Sequence, residues 1–107
     1  MIINDLAAWC DIVAIELWNG VRGSREKTNL AELEEELLLL PINKDVWGFA
    51  RQLTKECRKA GETIPPTDLI ITSCALYHKV GLEHCDAHMD FVLTVYRKNK
   101  SKFRAFA

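Results

Sequence analysis

The stretch that decides the fold is Leu37-Leu38-Leu39-Leu40-Pro41-Ile42-Asn43. An apolar run this short, closed by a proline, reads as a buried strand from Leu38 to Ile42 that ends in a turn. Asn43 is then a good N-cap for a helix reaching Ala60, because its side chain can accept a hydrogen bond from a free N–H of the first turn. Val46, Phe49, Ala50, Leu53 and Cys57 recur at helical spacing behind it, and Gly61 follows as the stop. Upstream, a helix is expected from Arg25 to Leu38, with Thr28 near its start. It buries Leu30, Leu33 and Leu37 and leaves Glu32, Glu34, Glu35 and Glu36 solvated. Before it, Trp9, Val13 and Leu17, widened by Ile12 and Ile15, predict a helix over Ala8 to Val21, with Gly20 and Gly23 at its end.

Downstream, Pro65 and Pro66 open a loop and Thr67 can cap a helix running to Lys79, with Leu69, Ile70, Cys74 and Tyr77 inward and Gly81 as the terminator. Leu82 to Cys85 is a brief strand candidate. Asp86 can cap a short helix from Ala87 to about Leu93, and from Tyr96 onward a terminal strand and a frayed tail are both open. Helices separated by short apolar strands predict parallel βα units, an α/β fold. Helix outweighs strand, so an all-helical bundle is the alternative.

The chain has 107 residues and is expected to form one domain, residues 1–107. Its composition is 49% hydrophobic, enough to bury a core, so a disordered tail is excluded. A formal net charge of −1 excludes a polybasic chain, so a nucleic-acid partner must be held by local patches or through bound cations. Arg97, Lys98, Lys100, Lys102 and Arg104 form one such patch, readable as a solvated end or as a phosphate contact. Cys10, Cys57, Cys74 and Cys85 are scattered without a CxxC pair and read as reduced thiols in a cytoplasmic protein. The first residues lack a basic leader, and Asp5, Asp11 and Glu16 interrupt their apolar stretch, so neither a signal peptide nor a membrane span is expected.

The acidic residues carry the candidate chemistry. Glu16 falls mid-helix among Ile12, Val13, Ile15 and Leu17. A carboxylate there needs a cation or a basic partner if it is buried, and needs nothing if it faces solvent beside Asn19. Asp68 and Asp86 each precede or open a helix, where a carboxylate complements the helix dipole. The same junctions are where open α/β folds collect ligands. Converging carboxylates would repel unless a hard cation such as Mg²⁺ or Mn²⁺ sat between them, and such an ion can activate water against a phosphodiester. His84, Cys85, Asp86 and His88 also have the composition of a metal site, although a helix is expected to begin between the two histidines. His78 near a helix end is favoured by the dipole alone.

Three segments resemble one family. Ile12-Val13-Ala14-Ile15-Glu16-Leu17-Trp18-Asn19-Gly20-Val21-Arg22 is similar to the PIN-domain helix written as an apolar run, E-L, then G-x-R. Gly61-Glu62-Thr63-Ile64-Pro65-Pro66-Thr67-Asp68-Leu69-Ile70-Ile71 is similar to that family's G-x-x-I-P-x-T-D-x-x-I. Glu83-His84-Cys85-Asp86-Ala87-His88-Met89-Asp90 resembles its strand and turn that end in D-x-H-F-D or D-x-D-F. The order and separations match over nearly the whole chain, and the likeness is greatest to the VapC toxin branch of toxin–antitoxin pairs. The resemblance implies a three-layer α/β/α fold with a short parallel sheet, rich in helix. It implies Mg²⁺- or Mn²⁺-dependent ribonuclease activity, with Glu16, Asp68 and Asp86 as catalytic metal ligands. Asp90 would be an accessory acid and Thr67 a support, with Arg22 of the G-x-R match, and Arg97 and Lys98 of the basic patch, as RNA contacts. Implied partners are RNA, a cognate antitoxin and a second copy of the chain. The family's opening strand and its metal-binding Asp have no counterpart, since neither Asp5 nor Asp11 has that strand context, so an N-terminally truncated domain is expected. A non-catalytic interaction module, binding a partner protein or its own copy, is the contrasting expectation.

Overall fold

The structure, a computed structural model, describes residues 8–82 and 87–106. Strand β1 (Ala8–Trp9) runs parallel to β2 (Leu38–Leu39), with Ala8 opposite Leu38 and Trp9 opposite Leu39. The Leu40 N–H donates to the Trp9 carbonyl at 2.7 Å and extends the ladder by one bond. The periodicity that places Ala8 and Trp9 inside the first helix is corrected here. That helix, α1 (Asp11–Asn19), starts only after an extended Cys10. Trp9 keeps its helical spacing from Val13, but pairing across the ribbon buries both strand residues and overrides the local periodicity.

Helix α2 (Gly23–Glu36) begins earlier than Arg25. Thr28 lies a turn inside it and donates its hydroxyl to the Ser24 carbonyl. Leu30, Leu33 and Leu37 face the core as predicted. The strand expected over Leu38–Ile42 is corrected to Leu38–Leu39. Both leucines stay exposed, at 56% and 48%, and insertion into the core falls to Leu40. Helix α3 (Lys44–Lys59) follows the sequence closely. Asn43 Oδ1 accepts from the Val46 N–H at 3.0 Å, and Val46, Phe49, Ala50, Leu53 and Cys57 are all buried. It closes on Gly61 at φ +102°, with the Glu62 N–H bonded to the Cys57 carbonyl and the Gly61 N–H to that of Arg58.

Helix α4 (Pro66–Tyr77) starts with Pro66 and is preceded by Pro65, with no side-chain cap, so the capping role expected of Thr67 is not observed. The proline ring presets the helical φ and has no N–H to satisfy, which replaces the hydroxyl's role. α4 is buried around most of its circumference, at Leu69, Ile71, Thr72, Ser73, Cys74 and Ala75. Ile70 and Tyr77, expected inward, are only half-buried. Its end repeats the closure of α3: the Val80 N–H bonds the Ala75 carbonyl at 2.9 Å and the Lys79 N–H that of Leu76 at 3.2 Å. The left-handed residue here is Lys79, at φ +59°, and not Gly81.

Helix α5 (Ala87–Lys98) continues past Leu93, and a 3-10 helix (Lys100–Phe106) follows. The terminal segment is therefore neither strand nor frayed tail. Phe103 is buried, with its ring 4.7 Å from that of Phe49 and 5.1 Å from that of Tyr96. The strand candidate Leu82–Cys85 and the cap at Asp86 fall mostly outside the described residues; Leu82 itself is half-buried.

The three-layer α/β/α fold is overturned. The described residues form five α-helices and a 3-10 helix around one parallel ribbon of two residues per strand, too small to serve as a central layer. The runs Ile12–Leu17 and Leu69–Ala75 lie in helices, as their spacing predicts, and strand among the described residues is confined to Ala8–Trp9 and Leu38–Leu39. Two apolar clusters result. One gathers β1, α1, Leu30, Leu40, Val46 and the Ile71–Ala75 face of α4 with Met89. The other gathers Phe49, Leu53, Cys57, Ile64, Leu69, Val92, Val95 and Phe103. Among the described residues, no helix is long and apolar enough to cross a membrane.

Candidate functional site

Asp68 is the predicted acid that the structure holds most firmly. It sits in the first turn of α4 with its side chain 19% exposed, and its Oδ2 lies 3.3 Å from Nδ1 of the half-exposed His88 in the first turn of α5. The proline-led start of α4 and the amino end of α5 are thereby brought together. One turn along α4 from Asp68, the hydroxyl of the fully buried Thr72 has no hydrogen-bond partner, and that of its neighbour Ser73 has none either.

The other predicted residues are dispersed. Glu16 is exposed on α1, so the buried neighbourhood read from its flanking apolar residues is corrected. α1 buries only Val13 and Ala14, and Ile15 is itself 56% exposed. Glu16 lines an open groove of about 390 Å³ between α1 and α2, together with Glu26, Asn29, Leu30 and Leu33. Thr67 is exposed beside Asp68. Asp90 is exposed, and its backbone carbonyl accepts from the Thr94 hydroxyl. Arg22 precedes α2, with its N–H donating to the Glu26 carboxylate, and Arg97 and Lys98 are exposed in the last turn of α5. Asp86, His84 and Cys85 lie outside the described residues. Among those that are described, no group of three or more His, Cys, Asp or Glu side chains is arranged to hold a metal ion. His78 Nε2 donates to the Pro41 carbonyl at 2.8 Å, a structural tie from α4 to the turn after β2.

Three features escaped the sequence. Cys10 and Cys74 meet in the first cluster, both fully buried. The Cys74 thiol donates to the Leu40 carbonyl at 3.9 Å, and its interaction with Cys10 is the largest influence on both groups, holding Cys10 below its ordinary pKa, with help from the Val13 and Ile12 N–H groups, and pushing Cys74 up. Glu56, 2% exposed on α3, receives Lys102 Nζ at 3.0 Å and Gln52 Nε2 at 2.8 Å; the Lys102 hydrogen bond outweighs burial and holds its carboxyl below the ordinary range. The spacing Phe49-Leu53-Glu56 placed this carboxylate on the core face, a signal available in advance. The third feature is a cavity of about 130 Å³ between the carboxyl ends of α4 and α5 and the 3-10 helix, walled by aromatic rings and rimmed by Lys79, Lys100 and Arg104.

No protein-family model matches the chain, and no curated relative matches it either.

Proposed function

We propose that this chain is a Mg²⁺- or Mn²⁺-dependent ribonuclease of the PIN type, acting in the cytoplasm, with its site centred on Asp68. The observation that carries the reading is the Asp68–His88 pair, which brings together the first turns of α4 and α5. The donor chemistry fits such an ion: a half-buried carboxylate and an imidazole nitrogen are both ligands that Mn²⁺ accepts, and Mg²⁺ favours the carboxylate. Asp68 and Asp86 would hold it, with Glu16 and Asp90 as the outlying carboxylates. When bound, the ion supplies Lewis acidity and an acidified water. The chain's own groups do the rest. Asp68 presents a carboxylate fixed by the helix dipole and by His88. His88, half-exposed, can hold a proton at Nδ1. Arg22, Arg97 and Lys98, all exposed, meet phosphates of the strand.

The test is thermal unfolding in EDTA and in millimolar Mn²⁺, together with RNA cleavage, for the parent chain and Asp68→Asn. The reading requires a Mn²⁺-dependent rise in midpoint and cleavage in the parent, with both lost in the variant. A parent indifferent to Mn²⁺ sinks it.

A second reading has its own observation. Ile15, Trp18, Leu38, Leu39 and Trp47 are large apolar side chains left exposed. On this reading the chain is an interaction module: β2 pairs with a second copy, making a homodimer, and an antitoxin helix lies in the α1–α2 groove. Sedimentation of the parent and Leu38→Lys distinguishes it, since a monomeric parent removes the dimer.

A further inference from the structure

We propose that the cavity between the carboxyl ends of α4 and α5 and the 3-10 helix binds one nucleotide of single-stranded RNA, a pyrimidine ring in the cavity and its phosphate on the rim. The proposal rests on the reading of the chain as a protein that binds RNA, and adds where the strand is held away from Asp68.

The walls are Tyr77, Tyr96 and Phe106, all half-buried, over a floor of Phe49 and Phe103. Aromatic side chains that keep part of their surface open are stacking platforms for bases. The volume of about 130 Å³ is of the order of the ~150 Å³ that admits a single benzene-sized ring, the size of a pyrimidine. Lys79, Lys100 and Arg104 line the same cavity and, among the described residues, no carboxylate does, although Asp45 accepts from the hydroxyl of Tyr77, one of its walls, at 3.2 Å; the lining charge suits a phosphate.

Two further observations belong to the site. Lys79 is the non-glycine residue in the left-handed region among the described residues, at φ +59°. That conformation closes α4 as Gly61 closes α3, and leaves the Lys79 side chain lining the cavity. Gly48 has no Cβ where one would lie 2.8 Å from the Phe106 ring, so the glycine lets that ring, one wall of the cavity, lie close against α3.

The placement relative to Asp68 is also suited to a strand. Asp68 and His88 meet at the amino ends of α4 and α5, while Tyr77 and Tyr96 meet at the cavity near their carboxyl ends, so the two helices run side by side in one direction. Nine residues separate Asp68 from Tyr77 along α4, about 13 Å at 1.5 Å per residue. That is about four stacked nucleotides at ~3.4 Å each, fewer if the strand is extended.

Calorimetric titration of the whole chain in EDTA and low salt tests this. The titrants are uridine monophosphate, adenosine monophosphate, uridine, inorganic phosphate and phenyl phosphate. Uridine monophosphate should bind at least about fivefold more tightly than each of the others, the lower end of what one stacked base contributes. Lys79→Gly with Arg104→Gln should weaken it about tenfold. The same pair should lower the salt dependence of oligouridylate binding by about one for each phosphate no longer neutralised. Phe106→Leu should erase the preference for uridine monophosphate over inorganic phosphate while leaving phosphate binding in place. No binding, equal binding of phosphate or phenyl phosphate, or equal binding by parent and double variant each overturns the proposal. Because the titration contains no metal, loss of this site leaves Asp68-dependent cleavage standing, and loss of cleavage leaves this binding standing.

Discussion

Replacing Lys79 by glycine should stabilise the protein, although it removes a whole side chain. Lys79 occupies the left-handed position that ends α4, with the Val80 N–H on the Ala75 carbonyl and its own N–H on that of Leu76. The equivalent position after α3 is Gly61. A side chain in this conformation costs about 1–2 kcal/mol, because Cβ crowds the following carbonyl. Glycine removes that cost and brings its own, about 0.5–1 kcal/mol of extra backbone freedom in the unfolded chain. The two closing hydrogen bonds are main-chain bonds and survive the change. The net gain is about 0.5–1 kcal/mol, or roughly 2–6 °C in midpoint for a chain of this size. Urea unfolding followed by circular dichroism measures it, with the slope unchanged so that the midpoint shift reports stability. A midpoint equal to or below that of the parent would refute the reasoning, for it would mean that the lysine stem contributes packing worth at least the strain.

Phe103→Ala should cost about 3–5 kcal/mol, since the ring is buried between Phe49 and Tyr96; calorimetry would show it, and a loss under about 1 kcal/mol would mean that the 3-10 helix does not dock. Lys102→Met should cost about 1–2 kcal/mol at neutral pH, reduced from a buried pair because the lysine is 46% exposed. Its pH dependence has a definite sign. The folded pKa of Glu56 is depressed, so the pair's contribution is complete above the unfolded carboxylate value, about 4.3, and is lost as pH falls through the lower folded value. The midpoint difference between parent and variant should therefore shrink in acid; a difference that grows there contradicts the assignment. Thiolate absorbance should begin to rise below the pH of an ordinary thiol in the parent, lose that early phase in Cys10→Ser, and move upward in Cys74→Ala, where the neighbour that lowers Cys10 is gone.

The helices were legible where a local signal and the tertiary environment agree. Asn43, the Val46-to-Cys57 stripe and Gly61 each state the same boundaries for α3, and the structure keeps them. Trp9 was misleading because a residue four before Val13 fits a helix stripe as well as it fits a strand inserted ahead of one. Only the partner at Leu39, thirty residues away in sequence, decides between them. The terminal segment was opaque for a similar reason. Phe103 and Phe106 carry a three-residue period that has meaning only once Phe49 is opposite them. At the site, helix-start chemistry located Asp68, and nothing local revealed that His88 would meet it. Glu16 went astray because apolar neighbours in sequence are not neighbours on a helix face: Ile15 points outward with it.

The division of the apolar interior has a consequence for how the chain opens. Tyr77 packs against both clusters, and α4 contributes residues to each, Ile71, Cys74 and Ala75 to one and Leu69 to the other. α1, α2 and the ribbon belong to the first; the 3-10 helix and most of α3 and α5 belong to the second. Such an arrangement makes two foldons that share a helix. Amide protons of α1 and α2 should exchange through openings that leave α3 and α5 protected, while those of α4 should exchange only when the whole chain unfolds.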